Sequence, residues 1–183
     1  AELRESNKVL DIPGYTAFRR EASVARLAFD LAEYCLGINL SQEIHNDPVF
    51  ISGYNAAIDL IWWANDLYSY NMEQAKGHRC ANIVTVIMET KKLKLQVALD
   101  FFGGYFESLA NQLYTARMTL NSRPGQEYHD AVRVLDAYAD WVRGNVIWCF
   151  TTERYFGIDN STIRKTRCVT LREPFEGIIN LVE

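Results

Sequence analysis

The feature that most constrains the fold is the placement of proline between long apolar stretches with helical periodicity. The four prolines lie between such stretches, and proline disrupts a helix interior, so each one marks a boundary. Alternating runs of β-branched and polar residues bounded by turns are missing from the sequence, which leaves strands without support. The pattern therefore predicts an all-α fold of about five helices in one domain. The prolines are Pro13, Pro48, Pro124 and Pro174.

Capping residues and glycines set the expected limits of these helices. Asp47 before Pro48 is typical of a helix start, with the aspartate as N-cap and the proline at the first helical position. Glycines at 37, 77 and 157 are expected to close three of the helices. Residues 158–183 are expected to be irregular. The predicted helices are 14–36, 48 to about 74, 82–90, 92–118 with an interruption at Gly103-Gly104, and 126–156.

Composition excludes some functional classes. Among 183 residues, 19 Lys and Arg face 23 Asp and Glu, so the net charge of −4 leaves no basic surplus for nucleic-acid phosphates. The most apolar stretches, 56–64 and 83–88, are shorter than the roughly 18 residues that a membrane span needs. The first residues do not resemble a signal peptide. We therefore expect no nucleic-acid partner, no membrane span and a cytoplasmic location.

The cysteines and histidines show no spacing typical of a metal site. The cysteines are scattered without a C-x-x-C pair, which argues against a zinc site and a disulfide framework. We expect reduced, mostly buried thiols and histidines at the surface. The residues concerned are Cys35, Cys80, Cys149, Cys168, His45, His78 and His129.

A polar stripe on an otherwise apolar helix is the most informative pattern. Asn65, Ser69 and Glu73 are spaced i, i+4 and i+8, which places them on one helical face. The long side chain of Glu73 can lean back towards the start of the helix. Together they offer an amide oxygen, a hydroxyl and a carboxylate, hard donors that suit magnesium and leave room for water and a phosphate. The alternative is a solvated stripe, but the preceding residues 56–64 are apolar nearly all round, which favours a buried helix.

The run Asn65-Asp-Leu-Tyr-Ser-Tyr-Asn-Met-Glu73 resembles the ND(L/I/V)xSxxxE motif of class I terpene synthases, in which Asn, Ser and Glu hold one magnesium ion. Arg154-Tyr155 resembles the RY pair of that family, whose arginine grips the substrate diphosphate. Arg19 lies 46 residues before Asn65, the position of the diphosphate-sensing arginine, although Arg20 beside it could fill the same role from a different face. Ser23 stands where the family has a small residue at a helix break. The runs 12–15 and 141–148 are similar to those of fungal members.

The resemblance implies the C-terminal helices of a class I terpene synthase α-helical bundle, most similar to fungal sesquiterpene synthases. Such an enzyme ionises a prenyl diphosphate, such as farnesyl diphosphate, and cyclises the resulting carbocation. Three magnesium ions are implied in the complete enzyme, one of them held by residues of this chain. The implied catalytic residues are Arg19, Arg154 and Tyr155; the implied substrate-binding residues are these three with Lys76 and Trp148; the implied metal ligands are Asn65, Ser69 and Glu73.

Two of these assignments concern positions beside the motifs. Family members often have a basic residue just before the motif glutamate, where this chain has Met72, and Lys76 lies on nearly the same face as Glu73 and could compensate. Trp148 is the preferred residue for the cation pocket, since aromatic faces attract cations. Trp141, Trp148 and Tyr155 are spaced by seven residues along one helical face, which is also typical of ordinary core.

The sequence lacks the aspartate-rich motif that binds the other metal ions of the family on an earlier helix. Together with the absence of an initial methionine, this predicts that residues 1–183 are a single partial domain without cyclase activity of its own. Chain-elongating prenyltransferases carry two aspartate-rich motifs and no NDxxSxxxE, the opposite pattern. A non-catalytic helical interaction or scaffold domain, or a degenerate diphosphate-binding relative, remains as the alternative. A scaffold predicts no magnesium-dependent response to diphosphate.

Overall fold

The computed structural model describes residues 9–78 and 81–173, and all regular structure within them is helical, which confirms the predicted all-α class. The expectations for Cys80 and for residues 174–183 lie outside the described residues. The helices are α1 Ile12–Ala22, α2 Ala25–Leu36, α3 Gln42–His45, α4 Pro48–Ala75, α5 Ile83–Lys91, α6 Leu95–Asn121, α7 Gln126–Thr151, α8 Glu153–Phe156 and α9 Asn160–Thr166, with a 3₁₀ turn Gly157–Asp159 between the last two.

The central element is α4, which runs for 28 residues through the middle of the described part of the chain. Its start agrees with the prediction, because Asp47 Oδ1 accepts a hydrogen bond from the Val49 amide at 2.7 Å. Trp62 and Trp63 are both buried, and the Trp63 ring stacks on Tyr105 of α6 with centroids 4.5 Å apart. The helix is therefore buried on most sides, as its apolar sequence predicted.

The neighbours of α4 approach it closely at Gly53. A Cβ atom at this position would lie 3.0 Å from Ala116 Cβ of α6 and 3.1 Å from Leu135 Cδ1 of α7. Contacts this short are tighter than ordinary van der Waals distance, so glycine permits the three helices to meet. This packing fixes the axis of α4 and hence the direction of the polar face in its second half.

The predicted single helix 14–36 is wrong, because the chain breaks at Ser23. Ser23 has extended dihedral angles (φ −78°, ψ 140°), so α1 ends at Ala22, and α2 begins at Ala25. The Ser23 amide still donates to the Arg19 carbonyl at 2.8 Å. The break that the family resemblance placed at Ser23 is thus confirmed, although apolar periodicity continues across it.

Three other features of the predicted helices also differ from the structure: the end of one helix, an expected interruption, and the tail. The helix predicted over 126–156 ends at Thr151, because Thr152 is extended (φ −82°, ψ 148°) and its Oγ1 accepts from the Arg154 amide at 3.3 Å to start α8. The expected interruption at Gly103-Gly104 is wrong, since α6 runs through both glycines on an exposed face. The tail was expected to be irregular but contains α9.

The histidines are exposed, as predicted, whereas the expectation of mostly buried thiols is wrong for two of the three described cysteines. Cys35 and Cys168 are exposed, because Cys35 is on the outer side of α2 and Cys168 follows α9. Cys149 is buried, and this burial raises the pKa of its thiol to about 11. Among the described residues, no helix is long and apolar enough to cross a membrane.

Candidate functional site

The second half of α4 brings together three residues that are far apart in the sequence. Asn65 Nδ2 donates to the Tyr155 hydroxyl oxygen at 2.7 Å, across 90 residues. Asn65 Oδ1 accepts a longer hydrogen bond of 3.4 Å from Arg19 Nη2, across 46 residues. The structure therefore brings one residue from each of the three motifs together at Asn65 of α4.

Asp66 is the buried centre of this arrangement. Its Oδ1 accepts from Arg19 Nη2 at 2.6 Å, and its Oδ2 accepts from the Tyr15 hydroxyl at 2.7 Å and from the Ile83 amide at 3.0 Å. Burial raises the pKa of Asp66 to about 6, against the opposing effect of the Arg19 charge. Sequence reasoning missed Asp66, although its place beside Asn65 after a long apolar run was an available signal.

The structure distinguishes Arg19 from its neighbour Arg20. Arg20 forms a bidentate ion pair with Asp59 on a different face of α1. Its Nε donates to Oδ1 at 2.7 Å and its Nη2 donates to Oδ2 at 2.5 Å. Arg19 Nε is buried and has no hydrogen-bond partner among the described residues. Buried guanidinium donors are usually paired in proteins, although Arg26 Nε is likewise unpaired among the described residues. Of the two arginines, Arg19 thus has a free donor at the candidate site.

Ser69 and Glu73 continue the polar face towards the end of α4. Ser69 is buried, and its hydroxyl donates to the Asp66 carbonyl at 3.3 Å. Glu73 Oε2 accepts from Asn82 Nδ2 at 3.0 Å, and the same nitrogen donates to the Asp66 carbonyl at 2.7 Å. Asn82 is buried and also caps the N-terminus of α5, so it ties Glu73 to the next helix. Its contact with Glu73 was not anticipated from the sequence, which marked it only as the first residue of a helix.

The side chains of Asn65, Ser69 and Glu73 fit a hard divalent cation. Asn65 uses its nitrogen for Tyr155, which leaves the amide oxygen on the side of Arg19. Ser69 keeps its oxygen lone pairs, and Glu73 Oε1 has no hydrogen-bond partner in the described part of the chain. Within residues 9–78 and 81–173, no group of three His, Cys, Asp or Glu side chains could hold a metal ion. A site here would depend on amide and hydroxyl oxygens, which magnesium accepts.

The second arginine of the site is accessible. Arg154 is exposed at the start of α8, with its guanidinium 5.5 Å from the centroid of the Tyr155 ring, and has no carboxylate partner among the described residues. Tyr155 is itself buried. Lys76 is exposed just past the end of α4, and within the described residues its side chain contacts no site residue by a hydrogen bond or ion pair.

The aromatic residues near the site do not share one helix. Tyr155 lies on α8 rather than on α7, so the predicted common face of Trp141, Trp148 and Tyr155 is wrong. Trp148 nevertheless contacts Tyr155 edge to face, with ring centroids 6.0 Å apart, and is 46% exposed. Its free surface and its contact with Tyr155 place an aromatic ring next to the polar face of α4.

Comparisons with known proteins agree with these motifs. The family described as terpene synthase family 2, C-terminal metal binding, matches residues 1–112, which include the polar stripe. Sesquiterpene synthase Agr5 of Cyclocybe aegerita is 59% identical over 184 residues, which cover 100% of this chain and 43% of that protein. A sesquiterpene synthase of Sphaerobolus stellatus is 53% identical over 100% of this chain and 53% of its own length. The chain spans about half the length of these relatives.

The fold also has a counterpart among solved structures. Germacradien-4-ol synthase from Streptomyces citricolor superposes with a TM-score of 0.67 at 22% sequence identity. The match covers 78% of this chain and 47% of that one. At this identity the likeness shows a shared helical fold.

Proposed function

Because the chain belongs to terpene synthase family 2, we propose that it is the C-terminal part of a sesquiterpene synthase that ionises and cyclises a prenyl diphosphate such as farnesyl diphosphate. The observation that carries the proposal is the meeting of Arg19, Asn65 and Tyr155 at one point, beside a buried arginine nitrogen without a partner. These groups come from three separate stretches of the chain, which an incidental polar stripe does not require.

In this proposal Asn65, Ser69 and Glu73 hold one magnesium ion. A bound magnesium ion stabilises the negative charge that develops on a departing diphosphate. The role of the chain is to orient the three oxygens. Tyr155 fixes the amide of Asn65, and Asn82 fixes the carboxylate of Glu73. Two further ions of the complete enzyme would be bound by residues outside this chain.

Arg19 and Arg154 bind the diphosphate in this proposal. A guanidinium group donates to phosphate oxygens through its N–H groups, and Asp66 and Asn65 engage Arg19 Nη2, which leaves Nε as an unpaired donor. The helix α1 ends before Ser23, about one turn after Arg19. A movement of Arg19 on ligand binding would therefore be transmitted to a point where the helix is already broken. Lys76 adds a positive charge three residues beyond Glu73.

Trp148, packed against the buried ring of Tyr155, offers an aromatic face to the carbocation in this proposal. The face of an aromatic ring attracts a cation and offers no lone pair that would attack it as water does. The half-exposed ring of Trp148 is available for this role, whereas Trp62 and Trp63 are already buried in the core. The expected cytoplasmic location and the absence of a nucleic-acid partner stay predictions.

The proposal is tested by thermal unfolding of the chain with magnesium and inorganic pyrophosphate. At 100 times the dissociation constant, binding stabilises by about 2.7 kcal/mol, which raises the melting temperature by roughly 5–10 °C for a chain of this size. The rise should require both magnesium and pyrophosphate.

Glu73→Gln should abolish the magnesium dependence, because it removes the charged ligand. Glu107→Gln, at an exposed position on α6, should respond like the wild type and serves as the matched control. An unchanged melting temperature in the wild-type chain would instead favour a non-catalytic helical interaction domain.

A further inference from the structure

The segment 167–173, here called the strap, follows α9 and lies against the back of α4. Arg167 has a left-handed backbone conformation (φ 59°) that ends α9 and turns the chain. The strap contacts α4 at Asn71 and Gln74. Asn71 is about 160° around the helix from Glu73, at 100° per residue. The strap therefore reaches the same end of α4 as the candidate metal ligands, but from the opposite side.

Side-chain amides hold the backbone of the strap. Asn71 Nδ2 donates to the Thr170 carbonyl at 3.0 Å, and Asn71 Oδ1 accepts from the Arg172 amide at 2.8 Å. Gln74 Nε2 donates to the Arg172 carbonyl at 2.7 Å. The amide of Asn71 thus pairs with alternate residues, as a neighbouring β-strand would. These hydrogen bonds engage the backbone of the strap and not its side chains.

These amide contacts bear more of the docking than apolar packing does. Beneath the strap lies a cavity of about 560 Å³, lined mainly by apolar side chains that include Leu67, Leu99 and Phe150. Val169 and Leu171 of the strap line it too, yet remain 39% and 48% exposed. Because the apolar contacts are incomplete, loss of the amide contacts should release the strap.

The strap belongs to the same C-terminal stretch of the described chain as Arg154, the candidate diphosphate-binding arginine. Tyr155 is attached to α4 through Asn65 on the front, and Thr170 and Arg172 are attached through Asn71 and Gln74 on the back. One stretch of chain is therefore hydrogen-bonded to α4 on two sides. In the sequence Glu73 lies between the two rear anchors, in the last turn of α4, which the backbone amides of Gly77 and His78 also cap.

We propose that Asn71 and Gln74 are positioning residues for the metal site. By binding the strap, they hold the last turn of α4, which contains Glu73, in a fixed position relative to the segment that carries Arg154. This inference rests on the proposed function, because it concerns the alignment of the same magnesium ligands.

The test compares Asn71→Ala and Asn71→Asp with the wild-type chain. Alanine removes both contacts of Asn71 with the strap, whereas aspartate keeps the acceptor for the Arg172 amide and loses the donor to Thr170. Two quantities are measured: hydrogen exchange of the Arg172 amide, the strap amide that donates to α4, and the magnesium concentration that gives half of the pyrophosphate-dependent rise in melting temperature. Asn71→Ala should raise that concentration about tenfold, as is typical when a supporting partner of a metal ligand is lost. Asn71→Asp should fall between alanine and wild type.

Asn55→Ala is the matched control, on the same helix but far from the strap, and should leave both measurements unchanged. If Asn71→Ala does not fold, Arg172→Pro removes the same hydrogen bond from the strap side, outside the helices. Faster exchange in the strap with an unchanged magnesium requirement would overturn the positioning role. A strap that already exchanges freely in the wild type would overturn the docking itself. Hydrogen exchange is measured without pyrophosphate. Failure of the docking can therefore be distinguished from failure of the proposed function, in which the wild-type chain would bind no pyrophosphate.

Discussion

At the scale of single residues, the carboxylate of Asp66 organises the candidate site without being an expected metal ligand. It accepts hydrogen bonds from Arg19, from Tyr15 and from the backbone of Ile83, and so joins α1, α4 and α5. The arginine is thereby fixed by a partner on the helix that carries the candidate metal ligands. Stability and site geometry depend on the same side chain.

Replacing Asp66 by asparagine should lower the free energy of unfolding by about 3 kcal/mol, because removing one member of a buried ion pair leaves the other uncompensated. Asp140→Asn is the matched control, since Asp140 and Arg143 pair with side chains 71% and 72% exposed. The control should change the free energy by less than about 0.5 kcal/mol. Urea denaturation at pH 7 measures both variants, and equal losses would show that the Asp66 pair is not buried in solution.

The sequence predicted a site around Asn65 and Arg154-Tyr155 because the motif residues have a regular spacing or form a recognisable pair. It did not reveal Tyr15 or Asn82, which support the site through hydrogen bonds to distant residues. No periodicity connects such residues. Their roles arise only when the helices have packed.

At the scale of helices, α4 is positioned by its close contacts at Gly53. A methyl group there would collide with Ala116 and Leu135 at about 3 Å. Gly53→Ala should therefore destabilise the chain by about 1–3 kcal/mol through overpacking.

Gly103→Ala gives the matched comparison. Gly103 is in the interior of α6, and a Cβ atom there meets nothing within 4 Å. Alanine should stabilise this helix by about 0.5–1 kcal/mol, because glycine is the poorer helix former. Thermal or urea unfolding should give opposite signs for the two variants. The same sign for both would contradict the close packing described for α4.

The local sequence predicted the limits of the helices where a cap stands beside proline or glycine, and the break at Ser23 was expected only from the family resemblance. The predicted start of α4 at Pro48 and its end near 74 agree with the structure. The breaks at Ser23 and Thr152 each depend on one extended residue, without glycine or proline to mark it. The Gly103-Gly104 pair was misleading, because packing of Phe102 and Leu109 holds α6 together around it.

At the scale of the whole molecule, large apolar side chains remain exposed on several of the described elements, and two groups of them lie on or beside α2 and α7. They form one face of α2 and part of α7 near the candidate site. About half of the length of the related synthases has no counterpart in this chain. The residues of these two groups are Val24, Leu27, Leu31, Tyr34, Trp141, Ile147 and Trp148.

The 183-residue chain alone should form no cyclic terpene from farnesyl diphosphate and magnesium. Its sequence has no aspartate-rich motif, so only part of the charge on the diphosphate would be neutralised. Gas chromatography of extracted products measures the outcome. The control is a chimera that joins this sequence to the preceding part of the Cyclocybe aegerita relative, which should be active and should lose activity on Glu73→Gln. A terpene product from the short chain would contradict the prediction.

The separation of the site residues along the chain also determines when the site can form. Asn65 contacts Arg19, 46 residues earlier, and Tyr155, 90 residues later. A ribosome adds about 5–20 residues per second, so Tyr155 is synthesised roughly 5–20 s after Asn65. During that interval, Asp66 of the newly made α4 can pair with its hydrogen-bond partners on α1. Asn65 still lacks Tyr155, which orients its side-chain amide. The candidate site is thus completed only after Tyr155, its last aromatic partner, has left the ribosome.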